Sequence, residues 1–494
     1  MRNHGIGSWT ARRARTSPHR SALVHGQTRV TYAQLHDRST RLAHHLRRLG
    51  VRPGDRVAFL GPNHPAFLET LFAAGQLGAV FVPLNTRLAE PELRHCLTDS
   101  GAGVLVHTPA FEEFALACGT PRRVSVDAAL EQDLAACSPV PLDIRVTHAD
   151  TAAIMYTSGT TGRAKGAVLT HGNLVWNSVN TLVDGEFAAG DVTLLSAPLF
   201  HTAALNMTCL PTVLKGGTLV LEESFSPART LDLVQHLGVT VMFGVPAMFR
   251  QIAADPGFDA ADLSSLRMLL CGGAPVPAAL IRTFQRRGAA FIQGYGMTEA
   301  SPGVCLLDAE HALDKAGSAG LPHFFSDVRI VDPAGEDAPR GELLVEGPNV
   351  MSGYWNLPAE TAEAVRDGWF RSGDIAVADE DGYVTIVDRA KDMIISGGEN
   401  VYPAEVEKIL HEHPAVLDCA VIGVPDEKWG EVARAVVVLA PGAGASPEEI
   451  LASLDGRLAR YKIPKSLVVT DELPRSGTGK LLKPRIRRTF GTTS

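Results

Sequence analysis

Eleven consecutive residues, Tyr156-Thr157-Ser158-Gly159-Thr160-Thr161-Gly162-Arg163-Ala164-Lys165-Gly166, combine three glycines, four aliphatic hydroxyls and one lysine. An apolar run at 152–155 precedes them, so the segment reads as a strand running into a loop. Glycines let backbone N–H groups turn inward as a nest for an anion, and hydroxyls add neutral donors. Lys165 brings a compact, mobile positive charge. These are the parts of a polyphosphate site. The segment is not a GxxxxGK[ST] loop, because Arg163 and Ala164 separate Gly162 from Lys165.

Further clusters carry the same chemistry. Gln293-Gly294-Tyr295-Gly296-Met297-Thr298-Glu299 offers a flat aromatic for a base, a hydroxyl for a phosphoryl oxygen and a hard carboxylate for a hard cation. Gly272-Gly273-Ala274-Pro275 follows an apolar run at 268–271, and its small residues permit close backbone approach. Asp374 ends Trp369-Phe370-Arg371-Ser372-Gly373-Asp374, and taken alone it reads as a turn aspartate. Arg389 and Lys391 lie in the charged stretch 388–392, and Ser396-Gly397-Gly398-Glu399-Asn400 follows. Lys480 closes Pro474-Arg475-Ser476-Gly477-Thr478-Gly479-Lys480, where flanking glycines make the loop deformable. Only ten of the 46 basic residues are lysines and none precedes Lys165, which draws the eye to each of them. His201 stands in an apolar stretch, where a histidine is usually a satisfied core residue.

In this order, over nearly the whole chain, the motifs resemble those of the adenylate-forming superfamily: acyl-CoA synthetases, hydroxycinnamate ligases, luciferases and nonribosomal adenylation domains. The resemblance implies that Thr157, Ser158, Gly159, Thr160, Thr161, Gly162 and Lys165 receive ATP phosphates. It implies that Gly273, Ala274, Pro275, Gly294, Tyr295, Gly296 and Met297 line the adenine site, with Tyr295 stacked on the base. Thr298 would bond the α-phosphate and Glu299 would hold Mg²⁺. Asp374 and Arg389 would take the ribose hydroxyls. Lys480 would be the adenylation lysine, Lys391 the hinge, and Gly397, Gly398 and Asn400 the lining of the tunnel for coenzyme A. His201 would sit where acyl group meets phosphate. The implied activity is an AMP-forming carboxylate–CoA ligase that passes through an acyl-adenylate.

Amino-acid-activating members need a carboxylate near the acyl pocket, and Phe200-His201-Thr202-Ala203-Ala204-Leu205 has none. The segments 199–205, 243–246 and 296–302 are apolar and small, fitting an alkyl chain or an aryl ring. The texture of 391–405 is similar to bacterial fatty-acid ligases, so a fatty acid is expected ahead of an aryl acid. A carrier-protein phosphopantetheine is the alternative acceptor to free coenzyme A.

The elements that must position these residues follow an α/β rhythm. Apolar runs at 56–60, 79–83, 104–107, 218–221, 239–243 and 268–271 alternate with helical patterns at 65–77, 90–99 and 227–237. Such alternation implies parallel sheets covered by helices. Short runs with Gly and Pro turns after residue 316 (328–331, 341–346, 383–387) imply a β-rich subdomain. The expected architecture is a large N-terminal domain (1–387) with two parallel-type α/β sheets plus that subdomain, a hinge at 388–393, and a small mobile α+β C-terminal domain (394–494). In the latter, helices are expected at 403–412 and 447–458. At 494 residues the chain exceeds one ordinary core. A net charge of −8 gives no general pull toward nucleic acid. Seven scattered cysteines form no CxxC pair and suit a reducing bacterial cytoplasm. The weakly charged stretch 194–214 is interrupted by Pro198, His201, Asn206 and Pro211 and reads as core rather than a transmembrane segment. Arg12, Arg13 and Arg15 sit in an expected first helix and leave peripheral contact with a membrane surface open.

Overall fold

The computed structural model describes residues 2–157, 163–273, 276–389, 393–474, 481 and 483–491, with the side chains of 388, 389 and 404 outside that description. The chain forms two compact units. One gathers residues 1–86, 97–155 and 166–387; the other gathers 87–96, 156–165 and 388–494.

The first unit is built on two mainly parallel sheets. One runs in the order Leu321–Pro322, Gly303–Leu307, Ala290–Gly296, Met268–Gly272, Val241–Gly244, Val192–Leu195, Thr218–Leu221, Ser21–His25, Thr28–Thr31. Its six inner strands, from Ala290–Gly296 to Ser21–His25, pair parallel, and antiparallel strands close both edges. The other runs Gly353–Tyr354, Lys165–Thr170, Thr151–Thr157, Val80–Leu84, Arg56–Leu60, Val104–His107, Arg122–Ser125. Nearly continuous apolar strands such as Val80–Leu84, buried throughout, fit sheets covered on both faces. A smaller antiparallel sheet of Asp327–Val331, Arg340–Glu346, Trp369–Ala378, Val365–Arg366 and Val384–Arg389 forms the β-rich subdomain. Its core, including Leu343, Val345, Ala376 and Val384, is continuous with Ala300, Val304 and Cys305, so it packs at the open end of the nine-stranded sheet.

Helix boundaries follow local chemistry. His64 accepts the Ala66 N–H at 3.1 Å ahead of Pro65, which starts Pro65–Leu77 with its φ already set. Thr31 with Gln34, Thr170 with Asn173, and Ser446 with Glu449 form capping boxes.

In the second unit, Val416–Asp426 and Gly430–Leu439 form a long hairpin, joined by Ser466–Val469 and by the small hairpin Ile394–Ser396/Glu399–Val401. The helices Pro403–Leu410, Pro447–Ala452 and Lys483–Phe490 complete an α+β unit. Lys462 is buried here, bonded to Glu405 at 2.8 Å and to Glu92, while Arg87 pairs with Glu399 at 2.5 Å.

One expected bound needs correcting, and two placements are new. The helix expected over 447–458 stops at Ala452, and the chain turns through Gly456 at φ 72° within the expected span. Asp374 lies inside the strand Trp369–Ala378 and not in a turn. Within 194–214 the segment Ala203–Cys209 is π-helical, a wide coil that is rare and frequent at functional sites.

Candidate active site

Strand Ala290–Gly296 delivers the second motif. Gly294 lies opposite Gly272 in the parallel pair with Met268–Gly272, and Gly273 follows that strand, exposed. At Gly296 the chain folds back so tightly that a Cβ would stand 1.8 Å from the Pro302 carbonyl oxygen, so only glycine fits. The Met297 N–H donates to that same carbonyl at 3.0 Å, and Thr298–Ala300 makes one 3₁₀ turn. Asn349, fully buried, locks the turn by donating to the Ala300 and Gly303 carbonyls at 2.8 and 2.7 Å. Thr298 and Glu299 thus leave a rigid corner at the end of the sheet, where ligand sites of parallel α/β sheets are found.

Tyr295 and Asp374, 79 residues apart, meet at this corner: the phenol donates to Asp374 Oδ2 at 2.6 Å. Burial, and next the adjacent Asp374 charge, push the phenol well above the usual tyrosine range, so it stays a donor. Asp374 is supported from behind. Its N–H donates to Ser372 Oγ at 3.1 Å, Ser372 donates to the Leu343 carbonyl at 2.5 Å, and Glu342 accepts the Gly373 N–H at 3.1 Å. The Tyr354 phenol donates to Glu299 Oε1 at 2.8 Å, and the Met351 N–H donates to the Glu299 carbonyl at 2.7 Å.

His201 is half-buried, its ring 4.8 Å from that of Phe200, and its carbonyl accepts the Leu205 N–H at 3.2 Å as the π-helix begins. Two oxygens in or beside the expected acyl segments, Asn206 Oδ1 and Ser301 Oγ, are buried without a hydrogen-bond partner.

In the second unit Thr157 ends strand Thr151–Thr157 and Lys165 begins Lys165–Thr170, both half-buried. Gly397 and Gly398, with φ 59° and 86°, form the two-residue turn between Ser396 and Glu399, a conformation that suits a type I′ hairpin and favours glycine twice. A Cβ on Gly397 would meet the Trp429 ring at 2.6 Å. Asn400 is exposed one residue after the turn's closing pair. Ser158, Gly159, Thr160, Thr161, Gly162, Ala274, Pro275, Lys391 and Lys480 lie outside the described residues, as does the Arg389 side chain.

The sequence reading missed Tyr354 and Asn349. Neither belongs to a recognisable spacing; the faint signal was Gly353-Tyr354-Trp355, an aromatic pair after a glycine, whose partner Glu299 is 55 residues away.

The family described as AMP-binding enzyme matches residues 10–355, and the AMP-binding enzyme C-terminal domain matches 405–480. A feruloyl-CoA synthase of an Amycolatopsis species is 59% identical, covering 99% of this chain and 100% of that protein. A long-chain-fatty-acid–CoA ligase of Mycobacterium tuberculosis is 39% identical over 99% of each. The structure of a double mutant of o-succinylbenzoate CoA synthetase from Bacillus subtilis superposes with a TM-score of 0.89 at 34% identity, covering 97% of this chain and 98% of that one.

Proposed function

This chain belongs to the AMP-binding enzyme family, and from that premise we propose that it joins an aryl carboxylic acid of the hydroxycinnamate type to coenzyme A. The reaction class is that of the AMP-forming acid–CoA ligases, with ATP and coenzyme A as substrates. The likeness to the feruloyl-CoA synthase, far above that to the fatty-acid ligase, carries the aryl assignment and replaces the alkyl acid expected from 391–405.

A carboxylate oxygen of the acid attacks the α-phosphorus of ATP, the bond to the bridging oxygen breaks, and pyrophosphate leaves. Thr298, Lys165 and Lys480 spread the developing charge, Tyr295 and Asp374 hold the nucleoside, and His201 orients the acid. The coenzyme A sulfur then attacks the acyl carbon, its proton passes to solvent, and AMP leaves with the former carboxylate oxygen. Glu299 is the residue that would hold Mg²⁺, which neutralises phosphate charge when bound. Among the described residues no three His, Cys, Asp or Glu side chains stand together as a metal cage. A lone carboxylate at a phosphate-facing corner fits a magnesium ion held mainly by phosphate oxygens and water. Residues 1–387 form the adenylation domain and 394–494 the moving domain. It turns about Lys391 to exchange Lys480 for the hairpin of Gly397, Gly398 and Asn400.

The test is pyrophosphate release with MgATP over hydroxycinnamic, benzoic and C8–C16 alkyl acids, each with and without coenzyme A. Ferulic or coumaric acid should exceed every alkyl acid by about a hundredfold in kcat/KM, with thioester formed only when the thiol is present. Turnover led by alkyl acids would sink the aryl assignment and reinstate the fatty acid.

A further inference from the structure

The segment 351–355 ties together two parts of the site that the chain keeps far apart. Gly353 and Tyr354 pair with Val168 and Ala167 of the strand Lys165–Thr170, which leaves the polyphosphate loop. Two more backbone bonds extend this seam: Ser352 N–H to the Val168 carbonyl at 3.1 Å, and Trp355 N–H to the Gly166 carbonyl at 2.7 Å. Its far end is pinned by the Trp355 indole N–H, which donates to the Asp99 carbonyl at 3.0 Å, and by Arg56 over the indole at 5.4 Å. The Tyr354 N–H donates to Thr361 Oγ1 at 2.9 Å. The phenol is therefore held by a fixed backbone, and from it the hydroxyl reaches Glu299 Oε1 at 2.8 Å. Met351 holds the Glu299 carbonyl at 2.7 Å from the same strap. Glu299 is thus gripped at main chain and side chain by one short element.

We infer that Tyr354 is a positioning residue for the metal: its phenol fixes the Glu299 carboxylate so that it meets the cation of the metal–nucleotide complex already oriented. The inference rests on the reading of Glu299 as the magnesium carboxylate. A carboxylate that must contribute one or two bonds to a hard cation loses affinity when its rotamer is free. Removing a hydrogen-bond partner of a ligating carboxylate typically weakens metal affinity by about 10–100-fold. Tyr354 touches neither acid nor coenzyme A in this assignment, so its effect should be confined to the metal.

The experiment measures ATP binding calorimetrically with Mg²⁺ and with EDTA, and Mn²⁺–ATP binding by electron paramagnetic resonance, for the full chain, Tyr354→Phe and Glu299→Gln. Tyr354→Phe keeps the ring and its packing, and its melting temperature checks the fold. The expected result is a gain from the metal about tenfold smaller in Tyr354→Phe, metal-free ATP binding within about twofold of the parent, and KM values for acid and coenzyme A unchanged. Glu299→Gln should lose the gain altogether. If Tyr354→Phe weakens ATP equally with and without metal, its role is structural and the inference falls. If Glu299→Gln loses the gain while Tyr354→Phe keeps it, the inference falls alone. If Glu299→Gln keeps it, the metal reading of Glu299 falls and takes the inference with it.

Discussion

A single hydrogen bond joins the two residues proposed to hold the nucleoside. Tyr295 spends its hydroxyl on Asp374, the residue assigned to the ribose. The bond is charge-assisted, and Asp374 is otherwise steadied through Ser372 and Glu342. Tyr295→Phe keeps the stacking face and removes this donor, so Asp374 gains rotational freedom just where two hydroxyls must be met. The variant should bind ATP about tenfold more weakly, the worth of one hydrogen bond to a charged group. With 2′,3′-dideoxy-ATP the loss should shrink to about twofold, because the hydroxyls that Asp374 would receive are gone. Equilibrium binding of both nucleotides to both proteins makes the comparison; equal losses would detach Tyr295 from ribose recognition.

Buried polar groups help to fasten the elements of this protein, and one fastening should respond to pH. His171, fully buried at the start of helix His171–Asp184, accepts the Ile6 N–H at Nδ1 at 3.3 Å and packs against Gly5. It therefore anchors the amino-terminal segment. Burial, opposed by Asp150 and reinforced by His148, brings its pKa down to about 4. The folded state holds the imidazole neutral while the unfolded chain protonates it near its ordinary 6.5, so stability is full above that pH and drains as pH falls toward 4. From pH 7.5 to 5.5 the loss from this group should be about 1 kcal/mol. His171→Asn keeps an acceptor near the Nδ1 position and cannot take the proton. Its denaturation midpoints should be lower at pH 7.5 yet fall less on acidification, and parallel slopes for the two proteins would acquit His171. None of this was legible in the sequence, because a lone histidine carries no spacing. What was legible was periodic: helices Pro65–Leu77 and Pro227–Leu237, and strands Arg56–Leu60 and Val104–His107, lie where the apolar pattern put them. The candidate site could be read from the sequence only where its chemistry is contiguous, as in 293–299. Through-space partners were not: Tyr354 needs the strand pairing with Lys165–Thr170 before it meets Glu299, and the π-helical coil Ala203–Cys209 has no period of its own to read.

At the scale of the whole molecule, the residues proposed for the reaction are drawn from both compact units of the chain. Tyr295, Thr298, Glu299 and Asp374 belong to the first; Lys165, the Gly397–Gly398 turn and the chain carrying Lys480 belong to the second. Chain proximity is no guide to membership. Residues 87–96 join the second unit through Glu92, which meets Lys462 370 residues away and accepts the Ala459 N–H at 2.8 Å. A ligase with two half-reactions can use such a division only if some residues serve one step and not the other. Lys480 is the sharpest case. Its charge matters during acyl-adenylate formation, and in the proposed rotation it is withdrawn before sulfur attacks the acyl carbon. Lys480→Ala should therefore lower the rate of adenylation, followed as pyrophosphate exchange, by about a hundredfold or more, the scale of one lost electrostatic stabiliser. Thioester formation from supplied acyl-adenylate and coenzyme A should stay within about threefold of the parent, since Lys480 is away from the site in that step of the proposed mechanism. Gly397→Ala is the converse: a Cβ driven into Trp429 distorts the hairpin, so it should spare adenylation and slow thioester formation. Equal damage to both steps in both variants would mean that Lys480 and the Gly397–Gly398 turn do not divide the two steps between them.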